Sequence, residues 1–325
     1  MATRISIINF KGGVGKTTLA FHLAAGLVRY HEAKVLLIDV DHQSTLSILC
    51  LGGDKWREKA SARETVNSIF TTFTEKTPMA GREVIVQNPL EGRSHNYQTL
   101  DVVPATLALD DTEIELASAS TGNPIRSEWD KRTLLCKWLD DTSIDGEYDY
   151  IIIDCPPATK LVTQNAIACS HGYIIPAIPE AVIIRGVPHL RDLLANRIET
   201  KLRTLSQFVS NSGTAITPSY VSHINLVGIV ITRIQTSGVA VSGYVNDHTQ
   251  HLHTMETQWG ADMVKPYIPQ GVGIAESLRA SLPVYSRSGR QNIDNRDFIG
   301  LFKDLTENLK GRIDLLRILL DHSKT

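Results

Sequence analysis

Cysteine is scarce in this 325-residue chain: Cys50, Cys136, Cys155 and Cys169 are scattered, with no CxxC pair among them. Such usage argues against a disulfide framework and predicts reduced thiols inside a cytoplasmic protein. Long hydrophobic runs are also missing, and nothing approaches the ~18 consecutive apolar residues of a membrane span. Charge of one sign is absent too. Lys and Arg number 33 against 35 Asp and Glu, a net charge of −2, so any contact with nucleic acid must use a local patch. The opening stretch MATRISIINF is too short, and too soon followed by a glycine-rich turn, to read as a signal peptide. Internal repeats and low-complexity tracts are lacking as well. A soluble intracellular chain is expected.

What is present is 42% hydrophobic residues against 21% charged, in an alternating order of strand and helix signals. Lys34–Asp39 (KVLLID) is a continuous apolar run, as expected of a parallel strand buried on both faces. Ile5–Asn9, Leu100–Val103, Tyr150–Asp154, Tyr173–Pro176 and Leu226–Thr232 read the same way. Helical spacing is found over Lys16–Tyr30, Leu109–Ser118, Lys131–Asp140 and Ile183–Leu205. This alternation predicts an α/β fold: a doubly wound, mostly parallel sheet flanked by helices on both faces, in one domain over 1–325. Thr71–Gln98 is expected to be a surface excursion between helix and strand, and Ser206–Asn225 a long surface loop.

Between the first strand and first helix stands Lys11-Gly12-Gly13-Val14-Gly15-Lys16-Thr17-Thr18. Glycines let the backbone approach a phosphate closely, and the N–H groups of the loop and helix N-terminus converge on the anion. Lys16 would bring its charge to the β- and γ-phosphates, and the Thr17 hydroxyl would ligate Mg²⁺. Where a GxxxxGK loop has its first glycine the chain has Phe10, and a second lysine, Lys11, follows. Two apolar strands end in carboxylates at the edge where a doubly wound sheet binds ligands: Asp39, with Asp41 two residues on, and Asp154. An aspartate after four apolar strand residues suits a magnesium site of the Walker B kind.

These features together resemble the ParA/MinD family of deviant Walker A ATPases, whose loop reads KGGxGK[TS]. Asp39-Val40-Asp41-His42-Gln43 resembles the family's DxDPQ, with His42 in place of proline, and Asp154-Cys155-Pro156-Pro157 resembles its DxPP. Gln98–Ala105, Tyr173–Glu180 and Tyr267–Pro283 are similar to further family stretches, so the likeness runs through nearly the whole chain. The resemblance implies a ParA-type ATPase that binds ATP or ADP with Mg²⁺ and forms an ATP-sandwich homodimer. Lys11 would reach the partner subunit's nucleotide, Asp41 would orient the attacking water, and Thr17, Asp39 and Asp154 would serve the metal. Thr232 and Pro269 would flank the adenine.

Partners follow from the same resemblance: non-specific DNA, and a ParB-like or cargo-adaptor protein that stimulates hydrolysis, at a cytoplasmic, nucleoid-associated location. The expected DNA-binding group is Arg279, Arg287, Arg290 and Arg296, with Arg185, Arg191, Arg197, Lys201 and Arg203 as a second basic group. The chain enters its first strand at once, so no N-terminal helix-turn-helix extension, and no operator recognition, is expected. A MinD-like membrane regulator is the alternative. It would use the C-terminal amphipathic stretch, where Phe298, Phe302, Leu305, Leu309, Leu316 and Leu319 recur at helical spacing. Asp294, Asp297, Asp304, Glu307, Asp314 and Asp321 share its length and favour a helix packed on the sheet instead. His248, His251 and His253 share no single facial spacing and are not expected to hold a metal.

Overall fold

A computed structural model describes residues 1–94, 96–211, 218–235, 246–286 and 297–322, with the backbone alone at 246 and 247. Eight strands form one sheet: β1 Thr3–Ile7, β2 Val35–Asp39, β3 Val86–Gln87, β4 Leu100–Val103, β5 Tyr150–Asp154, β6 Gly172–Ala177, β7 Asn225–Ile231 and β8 Met263–Val264. Their spatial order is β3-β4-β2-β5-β1-β6-β7-β8. Every pairing is parallel except β3 with β4. From β1 the chain moves to one side of the sheet for β2, β3 and β4. It returns to β5 beside β1 and then builds the other side, which leaves a crevice at the C-terminal end of β1.

The helices are α1 Lys16–His31, α2 Thr45–Ser61, α3 Val66–Glu75, α4 Leu109–Ser118, α5 Pro124–Arg132, α6 Leu134–Thr142, α7 Leu161–Cys169, α8 Ala181–Asp192, α9 Thr200–Asn211, α10 Asn246–Trp259, α11 Val272–Arg279 and α12 Phe298–His322. Because side chains alternate across a strand, each apolar run serves two cores. Val35 and Leu37 of β2 join Ile5 and Ile7 in packing under α1, α2 and α12. Leu36 and Ile38 join Ile151 and Ile153 on the opposite face, under α3 to α10. The final helix lies on the sheet through Phe298, Phe302, Leu305, Leu309, Ile313 and Leu316. Leu319, expected on its apolar stripe, is instead 67% exposed, as the helix has outrun the sheet.

The two irregular segments differ from expectation. Within 71–98, α3 continues to Glu75, a 3₁₀ turn spans Arg82–Val84, and β3 adds an antiparallel edge. Val84, Leu90 and Tyr97 are fully buried there, so this stretch helps to close the core. Within 206–225, α9 runs on to Asn211, because Leu202, Leu205 and Val209 keep a buried helical stripe. A seven-residue π-helical segment, Leu193–Glu199, joins α8 to α9. The stretch read as one helix over Lys131–Asp140 is broken at Thr133 (φ −123°), where α5 gives way to α6.

Candidate functional site: a phosphate-loop cleft

Gly13 (φ 73°) and Gly15 (φ 84°) hold the left-handed conformations that turn the loop from β1 into α1. A side chain at either position would be strained, so glycine is required by the path of the chain. Gly15 is the N-cap of α1, and no side chain caps the helix. Its first N–H groups therefore face a cleft of about 480 Å³, lined by Gly12, Gly13, Gly15, Lys16, Thr17 and Thr18 on this side. Val14 faces the interior, and its carbonyl accepts a 2.7 Å hydrogen bond from Thr232 Oγ1.

Asp39 and Asp154 are register partners on adjacent strands, and both are fully buried. Thr17 Oγ1 donates to Asp154 Oδ2 at 2.7 Å, which joins the loop to the end of β5. The other oxygen, Oδ1, is buried without a hydrogen-bond partner. Burial first, and the neighbouring Asp39 carboxylate second, hold Asp154 well above the ordinary carboxylate range. An unpartnered carboxylate oxygen beside a threonine hydroxyl fits a hard, oxygen-seeking divalent cation such as Mg²⁺.

Asp39 sits differently. Its Oδ2 accepts from the backbone N–H and the hydroxyl of Ser47 at 2.9 and 2.6 Å, and its Oδ1 accepts from Asp41 N at 3.0 Å. Burial raises it to about 7 against the pull of those bonds. Both oxygens are thus engaged, Oδ2 by the first turn of α2 and Oδ1 by the turn that leads to it.

Asp41 lines the cleft, with Gln43 N donating to its Oδ1 at 3.0 Å and His42 Nδ1 standing 3.7 Å from the same oxygen. Lys16 is buried, with Nζ directed at the Lys11 carbonyl at 3.4 Å. Desolvation lowers its pKa, while Asp154 and Asp41 oppose the shift. Lys11 points away from its own cleft and forms an ion pair with Glu180, the residue preceding α8. Its backbone N–H is held by Asn9 Oδ1.

Thr232 and Pro269 both line the cleft, Thr232 directly against the loop at Val14 and Gly15, and Ile268, Gln270, Ile274 and Leu278 complete that wall. Arg233, which sequence reasoning passed over, lines it as well and donates from Nη1 to the Gly13 carbonyl at 2.6 Å. Ser47 and Glu180 were also missed. No motif marks Ser47, Glu180 stands only at the end of the Tyr173–Glu180 stretch with no role assigned to it, and each meets its partner only in the fold.

Of the expected DNA group, Arg279 ends α11 on the surface, and Arg287, Arg290 and Arg296 lie outside the described residues. The second group lies exposed along α8 to α9, where Arg191 pairs with Asp262 and Lys201 with Glu128. His248 Nδ1 accepts the Gln235 N–H. All four cysteines are buried free thiols. Among the described residues no helix is long and apolar enough to cross a membrane.

Comparison with known proteins agrees with this geometry. Residues 2–207 match the AAA domain family AAA_31. The sporulation initiation inhibitor protein Soj of Bacillus subtilis is 33% identical over 190 residues, 58% of this chain and 64% of Soj. The chain thus spans less than two-thirds of that relative, and 62% of a Chlamydia muridarum ParA family protein at 32% identity. The chromosome partitioning protein ParA of Caulobacter vibrioides is 26% identical over 86% of this chain and 85% of its own. Among solved structures, apo McdA of Cyanothece aligns with a TM-score of 0.64 at 18% identity, covering 96% of this chain and all of McdA. A Borrelia burgdorferi plasmid partition protein bound to AMPPNP aligns at 0.58 with 21% identity, over 98% of this chain and 100% of its own. With its loop, its strand-end carboxylates and these relatives, the chain belongs to the ParA/MinD family of P-loop ATPases.

Proposed function

We propose that the chain is a ParA-type, Mg²⁺-dependent ATPase in one domain over 1–325. It would dimerise on ATP, bind DNA non-specifically and release it after partner-stimulated hydrolysis. The observation that carries this reading is the Thr17–Asp154 contact, with Asp154 Oδ1 unpartnered beneath a glycine loop at a helix N-terminus. Solved relatives of the same fold were obtained with AMPPNP, or with ADP and magnesium, which supports ATP, ADP and Mg²⁺ as ligands.

In this reading the loop N–H groups and Lys16 wrap the β- and γ-phosphates, and Thr17 with Asp154 holds the metal. The metal supplies positive charge against the phosphate oxygens. Asp41, fixed by the Gln43 N–H, orients water for in-line attack on the γ-phosphate. Lys11 crosses to the partner subunit's nucleotide once it leaves Glu180. A charge-assisted bond of that kind contributes about 1.5–3 kcal/mol, enough to make ATP the dimerising ligand. A ParB-like or cargo-adaptor protein would accelerate turnover and so position a plasmid, chromosome or other cargo.

The test is binding to a non-specific duplex with ATP and with ADP, at low and moderate salt. ATP-dependent binding that falls steeply with salt is expected, through phosphate contacts from the arginine surfaces. No binding in either nucleotide state would remove DNA from the cycle. A MinD-like membrane role is favoured by one observation, the exposed apolar stripe Leu315, Ile318 and Leu319 near the end of α12. ATP-dependent sedimentation with anionic liposomes would establish that alternative.

A further inference from the structure

Asp41, His42 and Gln43 form the turn that follows β2. Where the motif DxDPQ has a proline, this chain carries a titratable side chain. His42 Nδ1 lies 3.7 Å from Asp41 Oδ1, too far for a hydrogen bond and close enough for an ion pair. The same oxygen accepts the Gln43 N–H at 3.0 Å, so the imidazole bears on a carboxylate whose direction the backbone already sets. Asp41 is buried against the cleft, whereas the His42 side chain is 39% exposed and open to protons from solvent.

The other charges that face His42 come from α4 and from the residue before α7. Asp110 and Glu113 on α4 both act on it electrostatically. Lys160 answers part of their charge, with Nζ 3.0 Å from Asp110 Oδ1 and 3.8 Å from Glu113 Oε2. Three carboxylates against one ammonium leave the imidazole facing net negative charge. Histidine is the side chain that gains or loses its own charge between about pH 5 and 8. A cation that comes and goes therefore stands beside the carboxylate that points at the attacking water.

We propose that His42 is a positioning residue for hydrolysis: as an imidazolium it pairs with Asp41 and draws that carboxylate off the water, and as a neutral ring it releases it. Hydrolysis then has an acid-side fall that a proline at this position could not produce. The proposal rests on reading Asp41 as the group that orients the attacking water.

The test is MgATP hydrolysis by the full-length chain and its His42→Gln and His42→Lys variants, with kcat and KM measured from about pH 5.5 to 8. The unsubstituted chain should gain about fivefold in kcat across that range, the limit for a partly exposed ion pair, with KM for MgATP unchanged. His42→Gln should lose the acid-side fall, and His42→Lys should stay slow to the alkaline end. Lys16 also acts on Asp41, but it is common to all three proteins and drops out of the comparison. Calorimetric titration with MgATP reports that each variant is folded and binds. An acid-side fall that persists in His42→Gln would overturn the proposal, as would a His42→Lys variant as fast as the unsubstituted chain at about pH 8. A change confined to KM would make His42 a nucleotide-binding group and overturn it too. A normal rate from Asp41→Ala would instead remove the reading beneath it.

Discussion

The ends of β2 and β5 lie side by side, and each closes a buried apolar run with an aspartate. Asp39 has both oxygens occupied by Ser47 and by the Asp41 N–H, whereas Asp154 has one oxygen on Thr17 and one with no partner. The same sequence signature therefore serves two purposes. One carboxylate, bonded at both oxygens, organises the start of a helix, and the other keeps a buried oxygen without a hydrogen-bond partner. The lysines repeat the contrast. Lys11 is paired with Glu180, while Lys16 faces the cleft with only a long contact to a carbonyl.

The sharpest break of this comparison is Asp154→Asn. The amide can still accept from Thr17, but it lacks the charge for a cation, so MgATP hydrolysis should fall by about two to three orders of magnitude. The denaturation midpoint should not drop, because burial already favours the uncharged form of this carboxyl and the amide matches it in shape. Asp39→Ala should do the reverse. It strands the buried N–H groups of Asp41 and Ser47 and should lower unfolding free energy by about 4 kcal/mol, read from urea titration. Equal loss of activity and unchanged stability in both variants would erase the distinction between the strand ends.

A third measurement extends the contrast between occupied and open groups to His22. Its Nδ1–H donates to the Thr18 carbonyl and its Nε2 accepts the Val284 N–H, which fixes a neutral ring. Burial depresses its pKa to about 4. The folded state then binds its proton less readily than the unfolded chain, whose histidine titrates near ~6.5. The stabilisation is present above about pH 6.5 and is lost as pH falls towards 4, to a total of about 3 kcal/mol. His22→Gln should flatten that part of the stability profile when the two proteins are compared between pH 7 and 4.5.

The smallest effect concerns Lys11. Its pair with Glu180 is partly exposed, so it contributes no more than about 1 kcal/mol. Glu180→Gln should lower the ATP concentration at half-maximal dimerisation by up to about fivefold, measured by light scattering. An unchanged midpoint would mean that the pair does not restrain Lys11.

How much of this was legible in the sequence follows from distance along the chain. The runs at 35–39 and 150–154 announce themselves because a strand covered on both faces needs no polar residue. The loop is equally plain, since only a glycine-rich path lets N–H groups converge. Two-residue strands such as β3 and β8 are too short to carry a periodic signal. The break at Thr133 is silent because no glycine or proline stands between α5 and α6 to announce it. What separates Asp39 from Asp154 was hidden as well, since the hydroxyl of Thr17 reaches Asp154 across 137 positions. Glu180 meets Lys11 across 169, and Arg233 meets Gly13 across 220. Such partners belong to the fold and leave no local pattern.

The packing of α1 on α12 has a mechanical consequence. His22 stacks on Phe302 with ring centroids 4.3 Å apart, and a Cβ on Gly26 would lie 2.5 Å from Thr306 Oγ1. The helix that begins at the phosphate loop is thus clamped near one end of a 25-residue rod. Beyond that clamp the rod is pinned again, by Leu309, Ile313 and Leu316 on the sheet and by Arg312, which donates to the carbonyls of Val227, Ala261, Asp262 and Met263. A displacement of α1 at the loop would therefore have to carry the whole rod against the sheet or stop at the clamp.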